Sequence, residues 1–218
     1  MPSVVIIGAS RGIGREFVAQ YAAAGWTVFA TVRAPDGGLG DGVTELVADV
    51  TDEASLTAVA AQVPATIDLL ILNAGVGAQE PTLAKIDAAH WATVMAVNGL
   101  GPLIAARALM GRVRDGGTIA ALSSTLGSIG ANTGGGLYTY RMSKAALNAG
   151  LKTLAIELKP RHIAVAALHP GWVKTDMGGP RAEVEAGDSV AGMRQVIADL
   201  TPDKTGVFLD YRGNALPW

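Results

Sequence analysis

The chain is 218 residues long, half of them hydrophobic and 17% charged, which is enough for one α/β core and short for two. A net charge of −2 gives no electrostatic footprint for nucleic acid or for an anionic membrane. Cysteine is absent and the three histidines fall at no ligand spacing, so disulfides and thiolate metal sites are excluded.

Ser3–Ile7 is a short β-branched run that reads as a strand. It leads at once into Gly8-Ala9-Ser10-Arg11-Gly12-Ile13-Gly14, and Ile13–Ala24 is patterned as a helix. Glycines between a strand and a helix permit a tight turn and close backbone approach to a pyrophosphate, and the helix N-terminus offers unpaired N–H groups. Three glycines in a turn are also ordinary turn chemistry, so the weight comes from the strand–turn–helix context. A functional turn this close to the start argues against a cleavable signal, and a cytoplasmic protein is expected.

Thr27–Val32 is the second strand, ending at Arg33, and Ala34–Gly42 reads as a loop rich in Gly and Asp. Glu45–Ala48 is the third, ending at Asp49-Val50, with Thr51 as a candidate cap for a helix over Asp52–Gln62. Leu69–Leu72 is the fourth and closes on Asn73-Ala74-Gly75, which is either a structural turn or part of a binding edge. One long helix is expected over Ala88–Val113. Its apolar centre, Val94–Ala106, holds Asn98, Gly99, Gly101 and Pro102, too short and broken to span a bilayer, so no membrane association is expected. Thr118–Leu122 is the fifth strand, followed by Ser123-Ser124. A helix over Arg141–Leu158 precedes the strand Ile163–Leu168, which ends at His169-Pro170-Gly171. Met177–Asp188 reads as irregular, Ser189–Leu200 as a helix and Val207–Leu209 as the last strand. The alternation predicts an α/β fold: one doubly wound Rossmann domain over residues 1–218 with a central parallel sheet of about seven strands. Ligands in such folds bind at the carboxyl ends of the strands, where the glycine and polar residues cluster.

Tyr140 and Lys144 lie four residues apart and so share a helix face. A phenol titrates near ~10, and a fixed ammonium beside it lowers that value; a drop of about three units takes roughly 4 kcal/mol. The pair therefore reads as a tuned acid/base. Tyr138 has Met142 four residues on and is read as packing in the loop or lining the substrate cleft.

The glycine turn, Asn73-Ala74-Gly75, Asn98, Ser124, Tyr140-x-x-x-Lys144 and Pro170-Gly171 together resemble the short-chain dehydrogenase/reductase family, most closely its small C-factor and carbonyl-reductase members. The resemblance implies hydride transfer between a nicotinamide and a small carbonyl or alcohol substrate. It makes Tyr140 the general acid/base, and has Lys144 tune that phenol and bond the nicotinamide ribose. Ser124 would hold the substrate oxygen and Asn98 would complete a proton relay. Ser123 competes with Ser124, but Ser124-Thr125-Leu126-Gly127 matches the family pattern. Asp49 would bond adenine with Val50 packed on the ring, and Pro170, Gly171, Val173 and Thr175 would wrap the nicotinamide. The Ser124-to-Tyr140 loop is longer than the family's and contains Gly134-Gly135-Gly136.

Cofactor choice follows from charge. The second strand ends Thr31-Val32-Arg33, with no carboxylate for a ribose 2′-hydroxyl. Arg33, with Arg11 from the glycine turn, would attract a 2′-phosphate, so NADP(H) is favoured over NAD(H), and Asp36 in the loop is a weak rival. Apolar faces on the two long helices make a homodimer a possible assembly. A rival reading is a low-turnover dinucleotide-binding signalling protein of C-factor type.

Overall fold

Near-continuous apolar strands have no face to give to water, so they need a helical layer on each side. The computed structural model, which describes residues 1–35, 38–78 and 80–218, has that arrangement. Strands β1 (Ser3–Ile7), β2 (Thr27–Val32), β3 (Val43–Val47), β4 (Ile67–Leu72), β5 (Val113–Leu122), β6 (Ala164–His169) and β7 (Val207–Asp210) form one sheet in the order β3-β2-β1-β4-β5-β6-β7. Every adjacent pair is parallel. The chain winds outward from β1 to β3, then crosses back to β4, so the loops after β1 and β4 diverge and leave a crevice at their carboxyl ends.

Side chains alternate across the sheet. Val5, Ile7, Leu70, Leu72 and Ile119 point into one layer, where α2 (Glu53–Gln62), α4 (Gly101–Leu109) and α5 (Tyr138–Glu157) contribute Leu56, Ile104, Leu109, Leu147 and Leu151. Val4, Ile6, Leu69 and Ile71 point into the other, against Phe17 and Val18 of α1 (Gly12–Ala23) and Val190 and Met193 of α6 (Ala186–Ala198).

Several elements depart from the sequence reading. The helix expected over Ala88–Val113 is α3 (Ala88–Val94), a π-helical stretch over Met95–Leu100, and α4, while Val113 already pairs with Ile67 in β5. The β4–β5 register shifts between Ile67 and Leu69, and Arg114–Gly117 interrupts the apolar pattern, so only Thr118 onward is legible as strand. The helical run Ala88–Leu109 is 22 residues, long and apolar enough by length and composition to cross a membrane, so the argument from shortness does not hold. In this fold its Ile104, Ala105 and Leu109 are buried in the core. Asp52, not Thr51, caps α2 by accepting from the Ala54 amide at 3.0 Å; the Thr51 hydroxyl turns back to Asp49. The irregular segment after Met177 ends at Glu185, where α6 begins, and a bridge pairs Val184 with Val173.

Candidate active site

The glycine turn is shaped by what lies against it. Gly8 has φ 88, and a Cβ there would sit 2.7 Å from the Ala74 Cα; at Gly14 a Cβ would meet the Gly8 carbonyl at 2.1 Å and Asn73 Nδ2 at 2.5 Å. Side chains at these two positions would push the turn off the end of β4. Asn73 holds the two together, its side-chain amide donating to the Gly8 carbonyl and its backbone amide to Ile7 at 3.0 Å. Arg11 provides no side-chain cap for α1 and its first turn carries no acid, so the helix start keeps its unpaired amides and positive end. A cradle that a Cβ would fill, beneath an uncapped helix N-terminus, fits a pyrophosphate.

A cleft of about 400 Å³ runs along this edge of the sheet. Arg33 and Asp49-Val50 line one end, and Tyr140 and Lys144 the other. Between them lie the turn (Gly8, Ser10, Arg11, Gly12, Ile13), Asn73-Ala74-Gly75, and Pro170 and Thr175 from the loop after β6. Gly14 supports the turn from behind; Gly171 packs near Tyr211, and Val173 is buried in its bridge to Val184. Asp49 accepts from both the amide and the hydroxyl of Thr51, at 2.8 and 2.6 Å, which hold its carboxyl below the usual range. Its local structural role and its place on the cleft wall thus coexist.

The chemistry-bearing groups meet where β4, β5 and α5 converge. Ser124 caps the 3₁₀ turn Thr125–Gly127 by accepting from the Leu126 amide at 3.1 Å. That turn rests on α5: a Cβ on Gly127 would lie 2.8 Å from the Lys144 carbonyl carbon. The Ser124 hydroxyl is the side chain that pulls the Tyr140 phenol's pKa down, whereas Ser123 donates to Asn148. Lys144 is buried and donates to the Leu122 carbonyl at 2.7 Å, its ammonium 5.9 Å from the Tyr140 ring centroid. Burial lowers the Lys144 pKa to about 8. Burial also raises the Tyr140 phenol, with Ser124 pulling the other way. The sequence argument expected a lowered phenol. Desolvation outweighs an ammonium that is itself desolvated and aimed at a carbonyl rather than at the phenol oxygen.

Asn98 is fully buried within the π-helical stretch, a distortion found often at functional sites. Its side chain pairs with both backbone groups of Val76 at 2.8 Å and donates to Ser143 at 3.1 Å. It lies behind Gly75, where an added Cβ would be 3.4 Å from Asn98 Oδ1 and 3.7 Å from Lys144 Nζ. His169, half-buried at the end of β6 and paired in register with Asp210, has its pKa lowered by desolvation.

Sequence reasoning passed over several wall residues. Thr31 accepts the Gly8 amide at 2.9 Å, tying the turn to β2. Asp176, next to Thr175, forms an exposed ion pair with Arg11 at 2.9 Å across the cleft mouth. Arg11 therefore has a carboxylate partner that no spacing pattern announced. Asp36, the weak rival acid, lies outside the described residues.

The model of the short chain dehydrogenase family matches residues 2–186. The chain belongs to this family. It is 46% identical to C-signal of Myxococcus xanthus over 154 residues, covering 70% of this chain and 93% of that one. The NADPH-bound carbonyl reductase from chicken fatty liver superposes with a TM-score of 0.92 at 32% identity, over 100% of this chain and 99% of the other. A short-chain dehydrogenase/reductase from Burkholderia multivorans with bound NADP gives 0.90 at 32%, again over 100% and 99%. The chain is thus a dehydrogenase/reductase of the C-factor and carbonyl-reductase type on a Rossmann sheet, and these likenesses support an oxidoreductase that uses a nicotinamide dinucleotide.

Proposed function

We propose that the protein is an NADP(H)-dependent oxidoreductase that interconverts a carbonyl and a secondary alcohol, with Tyr140 as general acid/base. The observation that carries this reading is the placement of Tyr140 and Lys144 together at one end of a cleft whose other parts fit a dinucleotide, with Ser124 acting on the Tyr140 phenol. The glycine turn and the head of α1 would hold the pyrophosphate, Asp49 and Val50 the adenine, and Pro170, Val173 and Thr175 the nicotinamide. Arg33, exposed at the end of β2, supports NADP(H) over NAD(H). The whole chain would form one dinucleotide-binding domain.

When bound, the nicotinamide supplies or accepts the hydride. The chain's own residues handle the oxygen and its proton. In reduction, Ser124 donates a hydrogen bond to the carbonyl oxygen and Tyr140 gives it a proton as negative charge develops there. A buried phenol with a raised pKa keeps that proton at neutral pH, as an acid must. The phenolate left behind would be stabilised by the Lys144 ammonium, the nearby charge, 5.9 Å from the ring centroid. In the reverse direction the phenolate takes the alcohol proton.

Mixing the protein with NADPH and a carbonyl panel tests the proposal. Tyr140-dependent oxidation of NADPH is expected, with Tyr140→Phe lowering kcat by about 10²–10⁴-fold while NADPH affinity stays within a few fold. Unchanged rates in Tyr140→Phe would count against the assignment. The similarity to C-signal favours a second reading, a dinucleotide-binding signalling protein with little turnover. Tight NADPH binding without turnover on any carbonyl would favour it. A homodimer through the helical run Ala88–Leu109 and α5 extends the proposal, since Leu100 and Ile156 are exposed there; light scattering at the 22.2 kDa of one chain would exclude it.

A further inference from the structure

The backbone between Ser124 and Tyr140 includes a turn that side-chain packing does little to hold. Positions for a Cβ on Gly134 and Gly135 meet nothing within 4 Å, and on Gly136 only the Pro81 carbonyl at 3.7 Å. Gly135, Gly136 and Leu137 have successive φ values of 63, 63 and 51. Glycine adopts this left-handed conformation freely; leucine adopts it at a cost, so something outside the residue keeps it there.

Arg141, one residue past Tyr140, supplies the tether. Its Nε donates to the Gly135 and Gly136 carbonyls at 3.2 and 3.1 Å and its Nη2 to Gly135 at 3.1 Å. Its Nη1 reaches the Leu126 carbonyl at 3.4 Å, within the turn that carries Ser124. No carboxylate among the described residues pairs with this guanidinium. A planar fork of donors can hold several carbonyls at once, which an ammonium on a flexible stem does less well. From the other side, the Leu137 amide donates to the Glu80 carbonyl at 2.8 Å, tying the turn to the loop after β4.

We propose that Arg141 is a positioning residue for substrate: it clamps the Gly134–Leu137 turn to the Ser124–Gly127 turn and so fixes the width of the cleft beside Ser124 and Tyr140. This rests on reading the cleft as a carbonyl/alcohol site. Met177, exposed on the cleft wall, Trp172 in the same loop after β6 and Tyr138 at the head of α5 are exposed hydrophobics, while the exposed arginines of the cleft, Arg11 and Arg33, sit on the turns after β1 and β2. The substrate class indicated is an uncharged, apolar carbonyl whose bulk is limited by the clamped turn.

The test is steady-state kinetics of wild type, Arg141→Met, Arg141→Lys and Gly136→Ala with NADPH and two uncharged ketones, acetophenone and the bulkier 2-acetylnaphthalene. Gly136→Ala disturbs the same turn without touching the arginine. Arg141→Met should raise KM for acetophenone about ten-fold with kcat held within three-fold. It should move the kcat/KM ratio about ten-fold toward the bulkier ketone, because a released wall must be ordered again on binding a small substrate and yields to a large one. Arg141→Lys should fall between, Gly136→Ala should shift the ratio the same way, and NADPH affinity should stay within two-fold in all. If Arg141→Met does not fold, Gly136→Ala and Arg141→Lys decide the matter. An unshifted ratio in the variants that fold, or a loss of NADPH affinity matching the loss of activity, overturns the inference. Absence of Tyr140-dependent turnover in the wild type overturns the carbonyl-site reading and this inference together; such turnover with unshifted selectivity overturns the inference alone.

Discussion

Lys144 ties the stability of the dinucleotide-free protein to pH, and Lys144→Met isolates the effect. The ammonium is buried, and its pKa falls from 10.5 to about 8, a penalty on the charged form of about 3 kcal/mol. The unfolded chain keeps the ordinary value. Between about pH 8 and 10.5 the unfolded state therefore binds more protons than the folded one, and stability rises with pH. The gain is complete above the unfolded pKa and is lost as pH falls through the folded one. From pH 7 to 9.5 it amounts to about 2 kcal/mol. Methionine has no proton to lose, so the variant lacks this slope. Removing the donor to Leu122 costs the variant a pH-independent amount of about 1–3 kcal/mol, which cancels when the two slopes are compared. Equilibrium urea unfolding of both proteins from pH 7 to 9.5 reads the difference directly. With m near about 2 kcal/mol per molar, the wild-type midpoint should move upward by about 1 M relative to the variant. Parallel curves, agreeing within about 0.5 kcal/mol across the range, would show that the ammonium is not desolvated and would remove the electrostatic account of the site.

Asn98→Ala strips the Val76 amide and carbonyl of their partners in a fully buried site. The cost should be about 2–4 kcal/mol, or roughly 5–15 °C in Tm by calorimetry, and a drop under 2 °C would mean the two groups find other partners. Arg33→Ala should raise the dissociation constant of NADPH about ten-fold more than that of NADH, read by nucleotide fluorescence. An equal change for both nucleotides would defeat the 2′-phosphate argument.

Much of the fold was legible because a parallel sheet leaves its mark residue by residue. Val4–Ile7 and Leu69–Leu72 are apolar without interruption since both faces are covered, and glycine or asparagine follows where each strand meets the crevice. Gly8 and Gly14 were legible for the same kind of reason: the space each occupies admits no side chain. The break between α3 and α4 was not. It centres on Asn98, whose partners Val76 and Ser143 lie 22 and 45 residues away, and a helical pattern carries no trace of contacts at that distance. The cap at Asp52 was missed for a smaller reason, since Thr51 and Asp52 are equally good candidates until the Thr51 hydroxyl is seen to prefer Asp49.

The electrostatics of the acid/base pair were the least legible part, because sequence gives the spacing of two groups and not their solvation. Four residues of separation place Tyr140 and Lys144 on one face, and by charge alone the ammonium should lower the phenol. Burial reverses the order of the two effects: it raises the phenol, lowers the ammonium, and turns the lysine to the Leu122 carbonyl for want of water. The folded protein thus disfavours the phenolate at the position proposed to take the proton of an alcohol. Whatever enters the cleft beside Lys144 and keeps it charged also moves Tyr140 toward the phenolate, so acid strength at this site is coupled to occupancy of the neighbouring one.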